Sequence, residues 1–237
     1  MKATAQNKPE PNKAKNGATQ GTQVGLRIEL PPLKKITIVI KVIGDSPLIS
    51  HRFAQKAKLE MLAKQMKLAQ QPQKPKDPHQ DFLDSLYPYP GGGYGFPCLA
   101  FKNAAVTACT HVAGITKVMA RGAFHVLGEY VKIEGEPTMR GAPEGADPAR
   151  LTPDELAAAA DTVRIGMGTT DLRYRAEFRR WSATVRLQFN ANVLSAEQIV
   201  NLFNTAGFAV GIGEWRPERD GNFGMFHVAD EKEGTKA

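Results

Sequence analysis

The order of strand and helix signals predicts an α+β fold, and three observations carry that expectation. Ile36-Thr37-Ile38-Val39-Ile40-Lys41-Val42-Ile43 is short, β-branched and bounded by Gly44-Asp45-Ser46-Pro47, the pattern of a strand running into a turn. Two amphipathic helices follow. Over residues 99–112, Phe101, Ala105, Ala108, Cys109 and Val112 form an apolar stripe that Gly114 stops, and over 195–206 a Ser195/Gln198 capping box opens a helix with Ile199, Leu202, Phe203 and Ala206 on one side. Strand patterns at 123–134, at 181–189 and at 208–228 with its hairpin complete the set. Read in order these give β-α-β-β-α-β, a ferredoxin-like or RRM-like core with two long insertions, at about 52–95 and 137–178, and a C-terminal glycine-rich loop.

Around this core the chain divides simply. Residues 1–23 are rich in Lys, Asn, Gln, Pro and Gly and predict a disordered tail, either solvated or adding nonspecific phosphate affinity; residues 24–228 predict one domain, and 229–237 a flexible end. The first insertion opens with a helix from Arg52 to Gln71, in which Leu59, Leu62, Met66 and Ala69 recur at helical spacing while Lys56, Lys58, Lys64 and Lys67 occupy other faces. Those lysines are read as a solvated face or as phosphate contacts. A Pro/Lys/Gln linker over 71–78 and a short helical segment through Phe82 and Leu86 lead to Tyr87-Pro88-Tyr89-Pro90-Gly91-Gly92-Gly93-Tyr94-Gly95-Phe96-Pro97. No Gly-Lys-Ser/Thr closes that loop, so it is not a nucleotide P-loop, and its tyrosines either anchor it on the core or stack on bases. The second insertion is Pro/Gly/Ala-rich and acidic, including the alanine run 157–160, and predicts one small helix and a flexible connection over 166–170.

The charge balance narrows the partners. Over 237 residues, 31 Lys+Arg against 24 Asp+Glu leave +7, with a pI near 9.4, which favours a polyanion. No apolar run approaches the roughly 18 residues a membrane span needs, so nucleic acid is expected before membrane. Cys98 and Cys109 are too few for a disulfide framework and lack metal-ligand spacing; with no apolar signal core at the amino terminus, a cytoplasmic setting is expected. His79, His111, His125 and His227 show no paired spacing, so neither metal nor cofactor is expected.

Three groups of residues carry the binding expectation. Lys102 and Asn103 lie in the first turn of the 99–112 helix, where free N–H groups attract anions. Arg173, Arg175, Arg179 and Arg180 gather around Tyr174 and Phe178, and arginine both grips phosphate and stacks. In the terminal loop Gly211 and Gly213 remove side chains where a backbone or an anion approaches, Arg216 and Arg219 supply guanidinium forks, and Trp215 offers a flat surface. A plain hairpin turn, with Glu214, Glu218 and Asp220 neutralising the arginines and Trp215 in the core, is the alternative for that loop.

Three short motifs resemble one family. Gly44-Asp45-Ser46-Pro47-Leu48-Ile49, Gly95-Phe96-Pro97-Cys98-Leu99-Ala100-Phe101-Lys102-Asn103-Ala104, and the glycines from Ala206-Gly207 to Phe223-Gly224-Met225-Phe226 are similar to the opening turn, helix start and terminal glycine-rich loop of the RAMP (repeat-associated mysterious protein) superfamily of CRISPR effector complexes. The resemblance implies a non-catalytic backbone subunit that binds single-stranded guide RNA, self-associates along it and meets other effector subunits. Cys98 and Ala100 depart from the small residues usual at that helix start, and the acids of the terminal loop depart from its usual basic character. The alternatives are a structural or assembly protein, a single-stranded DNA binder, and a metal-independent RAMP endoribonuclease in which His51 deprotonates the 2′-hydroxyl. Asp45 is a weaker catalytic candidate, as a loop acid for metal-dependent cutting.

Overall fold

A computed structural model describes residues 30–68, 75–165 and 168–230. The chain divides into two units, Met1–Pro32 and Leu33–Ala237. Of the first unit only residues 30–32 are described, as exposed coil; the expected tail over 1–23 and residues 231–237 lie outside the described residues.

The second unit is α+β. In chain order its elements are β1 (Lys35–Gly44), β2 (Leu48–Ser50), α1 (Gln55–Gln65), α2 (Pro78–Asp84), β3 (Tyr87–Pro88), β4 (Tyr94–Pro97), α3 (Cys98–Ala108), α4 (Lys117–Ala123), β5 (Phe124–Val126), β6 (Tyr130–Glu134), β7 (Pro137–Met139), α5 (Pro153–Ala159), β8 (Asp161–Ile165), β9 (Thr169–Arg173), β10 (Ala176–Phe178), β11 (Ser182–Asn190), α6 (Ala196–Ala209) and β12 (Phe226–Val228). The main antiparallel sheet runs β12-β1-β11-β6-β4-β3, with β5 also paired to β11. A three-stranded sheet, β2-β10-β7, and the β8–β9 hairpin accompany it.

Alternation along the strands builds the core. Ile40 and Val42 of β1, Val185 and Leu187 of β11, and Val131 and Ile133 of β6 are buried, and the residues between them are not. On the buried side Phe101 of α3 meets Phe226, and Phe203 of α6 meets Phe124 edge-on. The Ser195/Gln198 capping box forms as expected and opens α6. Trp181 closes the core under β1, its indole N–H donating to the Ser46 carbonyl at 2.9 Å.

At four places the structure corrects or completes the expectation. Residues 208–212 are not a strand: α6 continues through Gly207 to Ala209, leaving Phe208 74% exposed in its last turn. Gly207 is a close-packing position rather than a helix stop, since a Cβ there would overlap the Phe226 carbonyl of β12. The apolar stripe of the first insertion is not core. In α1 no residue is buried, and Leu59, Leu62 and Met66 are half exposed or more, because no described segment covers them; Ala69 and Gln71 lie outside the described residues. The aromatic loop at 87–97 is the β3–β4 hairpin on the sheet edge, turned by Gly91, Gly92 and Gly93, all at positive φ. Its Tyr87 rests on Phe96 and Tyr130 and its Tyr94 on Phe178, the anchoring role. Finally, the connection over 166–170 joins the strands of the β8–β9 hairpin, with residues 166 and 167 outside the described ones.

Candidate nucleic-acid interface

A cleft of about 540 Å³ lies between α3, α4 and the loop that follows α6. Because β4 runs directly into α3, Phe101 and Ala105 turn into the core while Ala100, Asn103 and Thr107 line the cleft. The opposite wall is Val210, Gly211, Ile212 and Gly213, with His51 beyond the end of β2 and Lys117 and Arg121 from α4. Glycine makes this wall possible. Gly211 and Gly213 take φ of 67° and 83°, and a Cβ on Gly213 would stand 2.6 Å from the Ile49 carbonyl oxygen. Backbone bonds then pin the loop to the turn after β1: Ile212 N–H donates to Gly224 O at 2.9 Å, Gly224 N–H to Pro47 O at 2.8 Å and Glu214 N–H to Ile49 O at 3.2 Å.

The cleft carries a specific charge pattern. His51 Nδ1 lies 3.2 Å from Glu214 Oε1. That hydrogen bond is the main cause of a Glu214 carboxyl held below its usual 4.5; the charges of His51, Arg175 and Arg216 add to it, and burial opposes it. Arg216 donates through Nη1 to the Gly213 carbonyl at 3.1 Å, and through Nε and Nη2 to Glu218 at 3.0 and 2.7 Å. Lys117 and Arg121, by contrast, have no ion pair among the described residues. They stand four residues apart on one face of α4, a spacing that sequence reading could have noticed had this helix been recognised. Two cations without an ion pair among the described residues suit an anionic chain, while Glu214 and Glu218, which also line the cleft, oppose it.

Of the residues expected to bind, the cleft gathers Asn103, Gly211, Gly213 and Arg216, and beside them the catalytic candidate His51. Lys102 points elsewhere, its Nζ 3.0 Å from His125 Nδ1. Trp215 is occupied by the protein's own arginines: Arg140 stacks 4.1 Å and Arg175 5.0 Å from its ring centroid. Both guanidiniums share the buried Asp161, and Arg175, 3% exposed, donates to it at 3.0 Å. Among the described residues their Nε groups find no hydrogen-bond partner, so the ring face of Trp215 is part of what balances the buried charge. Tyr174 is buried. Arg173 pairs with Asp171 at 3.5 Å, and Arg179 with Glu177 at 3.4 Å while donating to the Ala142 carbonyl at 2.6 Å. Arg180 and Arg219 are exposed and outside the cleft. Asp45 is bonded to His227 at 2.6 Å.

Among the described residues no group of three or more His, Cys, Asp or Glu is placed to hold a metal, and no helix is long and apolar enough to cross a membrane. No family model matches the sequence, and no curated protein matches it. Among solved structures the chain is similar to Cmr6 from Pyrococcus furiosus, at 9% identity and a TM-score of 0.36 over 84% of this chain and 100% of that one.

Proposed function

We propose that this chain is a non-catalytic, single-stranded RNA-binding protein of the RAMP type, with the strand crossing the cleft between α3 and the glycine loop. The observation that carries the reading is the cleft itself, where Gly211, Gly213, Asn103 and Arg216 meet the unpaired Lys117 and Arg121. The sheet order β12-β1-β11 followed by β5 and β6, with α3 and α6 on one side, supports a ferredoxin-like core. Self-association along a guide strand, and contact with other subunits of an effector complex, belong to the same reading through the three motifs that resemble the family. Arg175 and Trp215 serve it from behind the loop, by holding Glu214 and its neighbours in place.

A second reading has its own support. The His51–Glu214 bond inside a cleft that also holds Lys117 and Arg121 is the arrangement a metal-independent ribonuclease would use, with the carboxylate orienting the imidazole that takes the 2′-hydroxyl proton. One experiment addresses both. Nuclease-treated protein is titrated against labelled single-stranded RNA and DNA, and the RNA is then run on a denaturing gel. Lys117→Gln with Arg121→Gln is expected to weaken RNA binding and to flatten the log K against log salt slope by about 1.4, two phosphates at roughly 0.7 each on a single strand. Unchanged affinity and slope remove the cleft from the site. Cut RNA that stays whole with His51→Ala moves the assignment to the nuclease, and equal RNA and DNA affinity moves it to a general single-strand binder.

A further inference from the structure

The main sheet has a second face. While Ile40, Val185 and Ile133 turn into the core, Val39 is 60% exposed on the outward side and its cross-strand partner is Arg186. Lys35 and Lys41 share that side of β1, and Lys132 and Glu134 share it on β6. Four cations therefore face one acid, and that acid lies 3.9 Å from Lys41. Lys35, Lys132 and Arg186 have no ion pair or side-chain hydrogen bond among the described residues.

Lysines often guard sheet edges against stray pairing. Arg186 does not fit that role, because β11 lies inside the sheet, between β1 and β6. A carboxylate at position 39 would pair with Arg186 and add stability; valine stands there instead, and the guanidinium faces outward unneutralised. The outward residues of β1 and β11 also include no aromatic ring, only Lys, Thr, Val, Ile, Ser, Arg, Gln and Asn. These two strands offer charge and hydroxyl groups, which suit a sugar–phosphate backbone; on β6 the ring of Tyr130 shares the side of Lys132 and packs against Tyr87, with centroids 5.8 Å apart.

We propose that this outward face, centred on Arg186 and Lys132 and extended by Lys35, is a second phosphate-backbone-binding surface that works independently of the cleft. Single strands and duplexes share the chemistry it would recognise. The test uses the full-length, nuclease-treated protein and labelled single-stranded and duplex RNA of one sequence, with anisotropy measured between roughly 50 and 200 mM salt. Lys132→Gln with Arg186→Gln is expected to lower affinity several-fold and to flatten the salt slope by about 1.5, two phosphates at 0.7–0.9 each. The probe that loses affinity identifies the source. Arg150→Gln with Arg164→Gln removes the same charge from exposed positions of the second insertion and is expected to leave the slope unchanged. The proposal is overturned if the Lys132/Arg186 variant matches wild type on both probes, if the control variant loses as much, or if wild type binds neither probe. Loss in Lys117→Gln/Arg121→Gln with none in the sheet variant defeats this proposal alone, and the opposite pattern defeats the cleft alone.

Discussion

Glu214 connects three parts of the molecule through single atoms: its N–H donates to Ile49, its carboxylate meets His51, and the charge of Arg175 acts on it from behind. Folding favours its ionised form, since the folded value lies below the usual 4.5. The stability it contributes is therefore complete above that value and is lost as pH falls through the depressed folded one. Glu214→Gln is expected to lower unfolding free energy by about 0.5–1 kcal/mol at neutral pH, the scale of a partly exposed pair, and to equal wild type once acid has protonated the carboxylate. Denaturant melts at neutral and strongly acidic pH check this; a deficit that persists in acid points to packing instead. Nothing in the sequence foretold this pair, because His51 and Glu214 are brought together only by the loop folding over β2. For the same reason Trp215 read as a free stacking surface: its partners Arg140 and Arg175, and their shared Asp161, come from the second insertion.

Elements defined by local chemistry were legible. β1, α3, β11 and α6 carry their periodicity, caps and breakers within the segment, and they form where the sequence places them, give or take a turn. Segments whose conformation depends on a distant neighbour were not. The run Phe208–Ile212 alternates like a strand, yet its glycines serve a loop packed on the turn after β1, and Gly207 lies inside a helix because β12 crosses it. Gly207→Ala turns this into a prediction of sign. Alanine favours a helix interior by about 1 kcal/mol over glycine. Here its Cβ would collide with the Phe226 carbonyl, so the variant is expected to lose about 1–3 kcal/mol, as overpacked sites do, in chemical denaturation. A gain in stability would mean that β12 does not lie against α6 as described. The stripe of α1 misled in the opposite way: helical spacing of Leu59, Leu62 and Met66 identifies a helix but cannot say what covers it.

At the scale of the whole molecule, the α+β architecture places a cleft lined by Lys117, Arg121 and Arg216 together with Glu214 and Glu218 on the helical side of the sheet, and on the other side a basic face that no described segment covers. The interleaved arginines at 173–180, a better nucleic-acid signal than the lysine runs, are largely spent on Asp161, Asp171 and Glu177, whereas Lys117 and Arg121, which carried no signal, have no ion pair among the described residues and stand beside the glycine loop. Guanidinium content alone does not tell a phosphate grip from an internal salt bridge; only the acids that fold back against it do. The central claim is that the chain grips single-stranded RNA, and its most direct test is the anisotropy of labelled single-stranded RNA with nuclease-treated protein at roughly 50 and 200 mM salt. The account predicts binding that weakens steeply as salt rises, with the RNA intact afterwards. Absence of binding at the lower salt would contradict it and leave the glycine loop as a structural turn.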